Sequence, residues 1–207
     1  MRRMRAGFGS AVVIAVTLGL AAEVLASSAG PPLGLTGAPG EGNCTACHTG
    51  TVLNGGAGEI SIEGPLGYEP GVTYELEVRI VDPTAVGWGV ELTVLDADSD
   101  SAVGTLVATA SNTDVRSSGV REYLAHTLPG SGGQTFAWLF NWTAPNEDVG
   151  DVIFYAAGNA SNGFGAFDGK DQIYTSSTLV EFVPEPGSGL ALLTVLASLC
   201  WIRRRAA

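Results

Sequence analysis

Residues 73–81 read Thr-Tyr-Glu-Leu-Glu-Val-Arg-Ile-Val, and this stretch decides the fold. Apolar side chains occupy alternate positions, namely Tyr74, Leu76, Val78 and Ile80, and charged side chains stand between them. Alternation with a period of two places the apolar side chains on one face of a β-strand and the charged ones on the other. The stretch therefore predicts a strand with one face in a core and the other in water.

Further runs of β-rich sequence lie on both sides of this strand, and turn residues rich in Gly and Pro separate them. Long helical stripes are absent from the same region. Short strands at this spacing are typical of two packed antiparallel sheets. The sequence therefore predicts an all-β sandwich of about eight strands. The predicted strands are Glu59–Glu63, Thr73–Val81, Trp88–Leu95, Gly104–Ala110, Val120–Thr127, Thr135–Thr143, Asp151–Ala157 and Gln172–Phe182.

The N-terminal end has the features of a secretion signal. Three arginines, Arg2, Arg3 and Arg5, precede an apolar run at residues 8–22, and small residues follow that run. The run is shorter than the roughly 20 residues that a membrane span needs, and small-x-small cleavage positions lie directly after it. Residues 1–26 are therefore predicted to be a helical signal peptide that signal peptidase removes; an uncleaved anchor is the alternative.

The C-terminal end has three parts in order: a Pro-Glu-Pro sequence, an apolar run at residues 190–202, and three arginines. Positive charge directly after an apolar stretch holds that end of a chain in the cytoplasm. The arrangement resembles the PEP-CTERM sorting signal of bacteria that make extracellular polysaccharide, and this resemblance implies that an exosortase cuts near the Pro-Glu-Pro. Residues 184–207 are therefore predicted to be a sorting tail with a short transmembrane helix; a plain membrane anchor is the alternative. The sorting residues are Pro184, Glu185, Pro186, Arg203, Arg204 and Arg205.

Between these ends, residues 27–183 form a strongly acidic stretch of the length of one domain. Four basic residues stand against nineteen Asp and Glu, which gives a formal charge of −15. Such a charge repels nucleic acid and anionic lipid surfaces, so neither is an expected partner of this stretch. Asp96, Asp98 and Asp100 alternate as in a calcium loop, but the positions that an EF-hand fills with Gly and Glu hold Ser101 and Val107. A turn is predicted there, and calcium is not.

A cysteine motif lies in the Gly- and Pro-rich segment at residues 27–58. Cys44, Cys47 and His48 form the Cys-x-x-Cys-His pattern of haem c attachment. Two thiols at this spacing add to the two vinyl groups of one haem, and the adjacent His becomes the proximal iron ligand. The motif therefore predicts haem c. A Cys44–Cys47 disulfide is the first alternative, because disulfides persist in exported proteins. Zinc is a weaker alternative, since only three ligands cluster in the sequence.

The sixth ligand of the iron stays open at this point. The methionines, Met1 and Met4, lie in the predicted signal peptide, which excludes a His/Met pair. His126, the α-amino group of the mature chain and water remain, although a lone His at the end of a strand is by default a structural residue. Five aromatic residues are candidates to pack on a haem, and their predicted main role is the sandwich core. They are Trp88, Trp138, Trp142, Phe154 and Tyr155.

Several stretches resemble, in the same order, bacterial relatives of the Reeler domain known as choice-of-anchor proteins, which carry different C-terminal sorting tails. The resemblance implies an immunoglobulin-like, Reeler-like β-sandwich, placed here at residues 59–183, and an extracellular location. It implies no particular activity. The matching stretches are residues 37–50, 68–74, 126–127, 142–145, 152–160 and 171–175.

Together these features predict an exported protein of the cell surface, outer envelope or polysaccharide matrix that binds one haem and acts in electron transfer or redox sensing. The alternative is a structural or adhesive matrix module with a Cys44–Cys47 disulfide. Enzymatic activity is not favoured, because His126 has no recognisable partner and Asn159 and Asp171 could equally be turn residues. Signal peptidase, an exosortase and a redox partner are the expected partners, with membrane contact through the tail before processing.

Overall fold

The computed structural model describes residues 29–49, 51–163 and 169–184. The predicted signal peptide and the sorting tail beyond Pro184 lie outside these residues. Within them, no helix is long and apolar enough to cross a membrane.

β-strands make up about half of the described residues. A single turn of 3-10 helix at Cys44–Ala46 precedes them. The strands are β1 Glu59–Glu63, β2 Gly67–Tyr68, β3 Thr73–Val81, β4 Gly87–Asp96, β5 Thr105–Ala108, β6 Thr113–Ser118, β7 Arg121–His126, β8 Gly130–Ser131, β9 Thr135–Thr143, β10 Val152–Ser161 and β11 Gln172–Phe182.

The strands form two sheets, which confirms the predicted all-β sandwich. The four-stranded sheet has the order β1-β3-β9-β5. The seven-stranded sheet has the order β2-β11-β10-β4-β7-β6, and β8 pairs with β4 beside this path. Neighbouring strands are antiparallel, except that the short β2 runs parallel to β11.

Large side chains from the two sheets fill the space between them. Leu76, Val78 and Ile80 of β3 are buried, as their alternation predicts. Trp142 of β9 packs edge-on against Phe154 of β10, with ring centroids 5.2 Å apart. The core role predicted for Trp88, Trp138, Trp142 and Phe154 is confirmed, since each is at most 1% exposed. Tyr155 is half-buried instead, because neighbouring residues of a strand point to opposite faces of the sheet.

Strands β2, β6 and β8 were not predicted from the sequence. β2 and β8 are two residues long, and β6 reads Thr-Asp-Val-Arg-Ser-Ser, which lacks an apolar alternation. β6 lies at the edge of its sheet and forms a hairpin with β7 through Gly119, whose φ of 64° suits glycine. The turn predicted at Asp96 is confirmed, because its Oδ1 accepts hydrogen bonds from the Asp98 and Ser99 amides at 3.1 and 2.6 Å.

Residues 29–49 lie across the outer face of the seven-stranded sheet, the face turned away from the core. The Leu35 amide donates to Oε2 of Glu91 at 2.6 Å. Glu41 accepts a 2.7 Å hydrogen bond from the Tyr123 hydroxyl and forms an ion pair with Arg121. The cysteine segment is thereby fixed on the sheet that carries β4, β7, β10 and β11.

Candidate functional site

The cysteine motif begins in the 3-10 turn and is fixed at both ends. Asn43 caps the turn, because its Oδ1 accepts a hydrogen bond from the Thr45 amide at 2.9 Å. The His48 amide donates to the Cys44 carbonyl at 3.0 Å. The Cys44 side chain packs on Ala157 of β10 and Ile173 of β11. The turn therefore holds the motif directly against the outer face of the sheet.

A cavity of about 450 Å³ lies between this segment and the sheet. All four residues predicted to bind a cofactor line it, namely Cys44, Cys47, His48 and His126. Its volume falls within the roughly 300–1,000 Å³ of small-molecule and cofactor sites. Apolar residues contribute much of the remaining wall, and the strand residues Trp88 and Val90, whose side chains belong to the core, border the cavity as well. The other apolar residues are Pro31, Pro32, Leu35, Val86 and Pro129. The structure thus brings a sequence-local motif and a distant histidine to one apolar site.

His48 is held by a buried carboxylate. Its Nδ1 lies 2.6 Å from Oδ2 of Asp171, whose side chain is 1% exposed. The amide of Asn159 lies 3.1 Å from Nδ1 and 3.3 Å from Nε2 of the ring. One amide nitrogen cannot lie along both ring lone pairs, because these diverge in the ring plane. Asp171 therefore fixes the ring through Nδ1. Nε2 is then the nitrogen that can accept a hydrogen bond from the Asn159 amide, and a ligand bound at Nε2 would replace that contact.

Asp171 remains ionised despite its burial. Burial by itself would raise the pKa of this carboxyl, but hydrogen bonds from His48 and from the Asn162 amide hold it below its usual value. The Asn162 amide donates to Oδ1 at 3.0 Å. An ionised carboxylate on Nδ1 favours the tautomer with its proton on that nitrogen, which makes Nε2 an electron-pair donor.

The ring of His126 is held by main-chain atoms. Its Nδ1 lies 3.1 Å from both the amide nitrogen and the carbonyl oxygen of Val90. A Cβ placed on Gly89 would stand 2.9 Å from Cε1 of His126, so the ring lies directly over that glycine. Burial lowers the pKa of His126, which keeps the ring neutral at pH 7.

Cys44 and Cys47 are free thiols in the structure, and both are buried. Burial raises the pKa of Cys44 to about 12, and the charge of Glu91 adds to this rise. A reactive cysteine has the opposite property, because its thiolate is stabilised by positive charge. Burial and the charge of Glu91 thus disfavour the thiolate form of Cys44 in this structure.

Glu91 lies at the centre of the outer face. It is fully buried, and its Oε1 has no hydrogen-bond partner among the described residues. Burial raises the pKa of Glu91 to about 7, while the hydrogen bond from the Leu35 amide opposes this rise. This carboxyl consequently changes charge near neutral pH.

Asn159 and Asp171 are functional candidates that the sequence does not distinguish from turn residues. The structure places Asn159 inside β10 and Asp171 directly before β11, and both contact His48. The only signal in the sequence was their presence in two stretches of the Reeler-like resemblance, at 152–160 and 171–175. Nothing in their spacing indicates that antiparallel pairing of β10 and β11 brings them together.

In the parts of the chain that the structure describes, no group of three or more His, Cys, Asp or Glu could hold a metal ion between them. A haem supplies its own equatorial nitrogens and needs only axial ligands and an apolar enclosure. The cavity meets these requirements: it has the two thiols, a histidine whose Nε2 can donate an electron pair, and walls that are mostly apolar. The residues present therefore fit a c-type haem.

No protein-family model matches the sequence, and no curated protein is significantly similar to it. Among solved structures, the chain is similar to the reeler domain of human F-spondin, with 18% identity over 65% of this chain and 96% of that one and a TM-score of 0.46. The Reelin-N domain of F-spondin gives 18% identity over 67% and 96%, with a TM-score of 0.49.

A cohesin module of a Clostridium perfringens family 33 glycoside hydrolase is also similar, with 14% identity over 62% of this chain and 98% of that one and a TM-score of 0.45. Folds of this kind carry many unrelated functions, so a function has to be argued from the site. Fold and site together define an all-β sandwich domain, and a cavity lined by cysteine and histidine lies on the outer face of one of its sheets.

Proposed function

We propose that this domain binds one covalent c-type haem and transfers electrons outside the cytoplasmic membrane. The observation that carries the proposal is the shared cavity. Cys44, Cys47 and His48 all line it, and Asp171 holds the His48 ring through Nδ1, which leaves the lone pair on Nε2.

Each residue of the motif has a separate role. The thiols of Cys44 and Cys47 each add across one vinyl double bond, so that a C–S bond forms, the thiol hydrogen passes to the neighbouring carbon and nothing is released. His48 would hold the iron through Nε2, and Asp171 would position its ring. When bound, the haem supplies one-electron transfer, which requires a one-electron redox protein as donor and another as acceptor.

The surroundings support electron transfer. The apolar walls limit the access of water, while the side chain of His48 is 21% exposed, so the site reaches the protein surface. The domain carries a charge of −15 between residues 27 and 183. Such a charge favours encounter with a basic partner protein. We expect the redox partner to present a cationic surface.

The location follows from the chain ends. A signal peptide at residues 1–26 would deliver the domain to the compartment where bacteria attach haem c. A sorting tail at 184–207, processed by an exosortase, would leave it at the cell surface or in the polysaccharide matrix. Both assignments rest on the sequence features described above.

The test is to express the full chain in a bacterium that carries the haem c maturation proteins and to measure its intact mass and its reduced-minus-oxidised spectrum. We expect a covalent haem adduct and a sharp reduced α-band. Cys44→Ala and Cys47→Ala should each lose one thioether bond, and the double variant should lose the adduct completely. Thr45→Ala lies in the same turn but outside the cavity lining, and it should keep the adduct.

A structural or adhesive module is the second candidate. The main core cluster contains neither Cys44 nor Cys47. The core of the domain can therefore form without a cofactor, which favours this candidate. In this function the two thiols would be oxidised to a disulfide. The same mass measurement distinguishes the candidates, since a wild-type protein lighter by two hydrogens and without haem would refute the haem proposal.

A further inference from the structure

His126 ends a strand ladder in an unusual way. The β4–β7 ladder pairs Leu92 with Leu124 and Glu91 with Ala125, and it stops there. At the next position, the imidazole of His126 replaces the main chain as the partner of Val90. The His126 side chain thus contacts the main-chain N–H and C=O of Val90, which the main chain of β7 would have bonded if the ladder had continued. The ring is therefore fixed in place by the backbone of the neighbouring strand.

The main chain of Val90 serves both tautomers of this ring. Its amide donates to Nδ1 when that nitrogen is unprotonated, and its carbonyl accepts when Nδ1 carries the proton. In the second tautomer, Nε2 has a free lone pair, and within the described residues it has no hydrogen-bond partner. A hydrogen bond from Nδ1 to a backbone carbonyl is a common way to orient a metal-binding histidine.

Gly89 provides the space for this ring. A Cβ at this position would lie 2.9 Å from Cε1 and 3.3 Å from both ring nitrogens of His126. Real Cβ contacts are not this short, so any other residue at position 89 would displace the ring. Glycine inside a strand weakens the strand. Its presence at position 89 therefore indicates that the space it leaves for the His126 ring is needed.

We propose that His126, through Nε2, is the second axial ligand of the haem that Cys44, Cys47 and His48 hold. This inference rests on the haem-binding function proposed above and narrows it. With histidines from the protein at both axial positions, no coordination site is left for water or for a diatomic gas. The site is then built for electron transfer and not for gas sensing.

The test compares the wild-type chain with His126→Ala after expression with the haem c maturation proteins. The wild type should show a six-coordinate, low-spin ferric spectrum and should not bind carbon monoxide when reduced. His126→Ala should keep the covalent haem by mass, lose the low-spin signal and bind carbon monoxide. Added imidazole should restore the low-spin spectrum of this variant.

Two further variants make the test specific. Thr113→Ala changes a buried polar residue that pairs with His126 in the β6–β7 register but does not line the cavity, so it should keep the wild-type spectrum. His126→Gln keeps a polar side chain that can bond to the main chain of Val90, and it guards against misfolding of the alanine variant. It should also lose the low-spin signal.

Two results would overturn the inference without touching the haem proposal. In the first, the wild type carries covalent haem but is already high-spin or binds carbon monoxide. In the second, the low-spin spectrum of the wild type is unchanged in His126→Ala and His126→Gln. Absence of the adduct in the wild type would overturn both proposals together.

Discussion

The two faces of the seven-stranded sheet are built from the same strands but from different kinds of residue. In β4, the inward positions hold large apolar side chains such as Trp88 and Leu92, while the outward positions hold Gly89 and Glu91. In β10, Phe154 points inward and Asn159 lies on the outer face. Large side chains pack together between the sheets, whereas a cavity lies on the outer face beside residues 29–49. Because successive side chains of a strand point to opposite faces, the same strands can place core residues on one face and the residues of the candidate site on the other.

The two faces also differ in energy. Each fully buried large apolar side chain of the core contributes about 1.5–3 kcal/mol. On the outer face, Oε1 of Glu91 and Oδ1 of Asn159 are buried without hydrogen-bond partners in the described structure. Such atoms cost about 1–3 kcal/mol each. A face that gives up stability in this way is more typical of a functional site than of a core.

The largest effect on stability is expected from the core. Trp142→Ala removes a ring that packs edge-on against Tyr68 and Phe154 at centroid distances of 5.4 and 5.2 Å. We expect it to lower the free energy of unfolding by about 3–5 kcal/mol. Urea unfolding measures this change. Leu139→Ala, on the same strand but 44% exposed, is the control and should change stability by less than about 0.5 kcal/mol. Equal effects of the two variants would contradict the assignment of the core.

A smaller effect is expected from the polar anchor of the cavity. Asp171→Asn replaces the ionised partner of His48 with a neutral amide, and we expect a loss of about 1–3 kcal/mol in urea unfolding. The imidazole nitrogens of His48 should also change their NMR shifts, because the tautomer is no longer fixed by a carboxylate. Asp114→Asn, at an exposed position, should change neither quantity. An unchanged His48 spectrum in Asp171→Asn would show that this carboxylate does not position the ring.

The third effect depends on pH. Burial raises the pKa of Glu91 from 4.5 to about 7, so between these values the folded domain keeps a proton that the unfolded chain has released. Glu91 therefore makes the domain less stable as the pH rises from about 4.5 to 7. Glu91→Gln should remove this contribution, so its unfolding free energy should fall less over that window than that of the wild type. Glu75→Gln, at an exposed position, should keep the wild-type pH dependence; a matching flattening there would refute the assignment to Glu91.

Much of the fold follows from local patterns in the sequence. Strands β1, β3, β9 and β11 begin and end at the predicted residues, because each alternates or lies between clear turn residues. β6 was missed because an edge strand with a polar sequence has no buried face to impose a pattern. β10 extends to Ser161 beyond its predicted end at Ala157, because pairing with β4 and β11 continues through small residues that carry little β-propensity.

The site was predictable only in part. The spacing of Cys44, Cys47 and His48 is a local property, since the chemistry of haem attachment demands those three residues at that distance in sequence. The sequence by itself therefore determined the sandwich, the acidic charge and the motif. Only the tertiary structure decided that Asp171 and Asn159 meet His48 and that His126 lines the same cavity. The physical reason is that strand pairing brings together residues far apart in the chain, and no local pattern specifies which of them will meet.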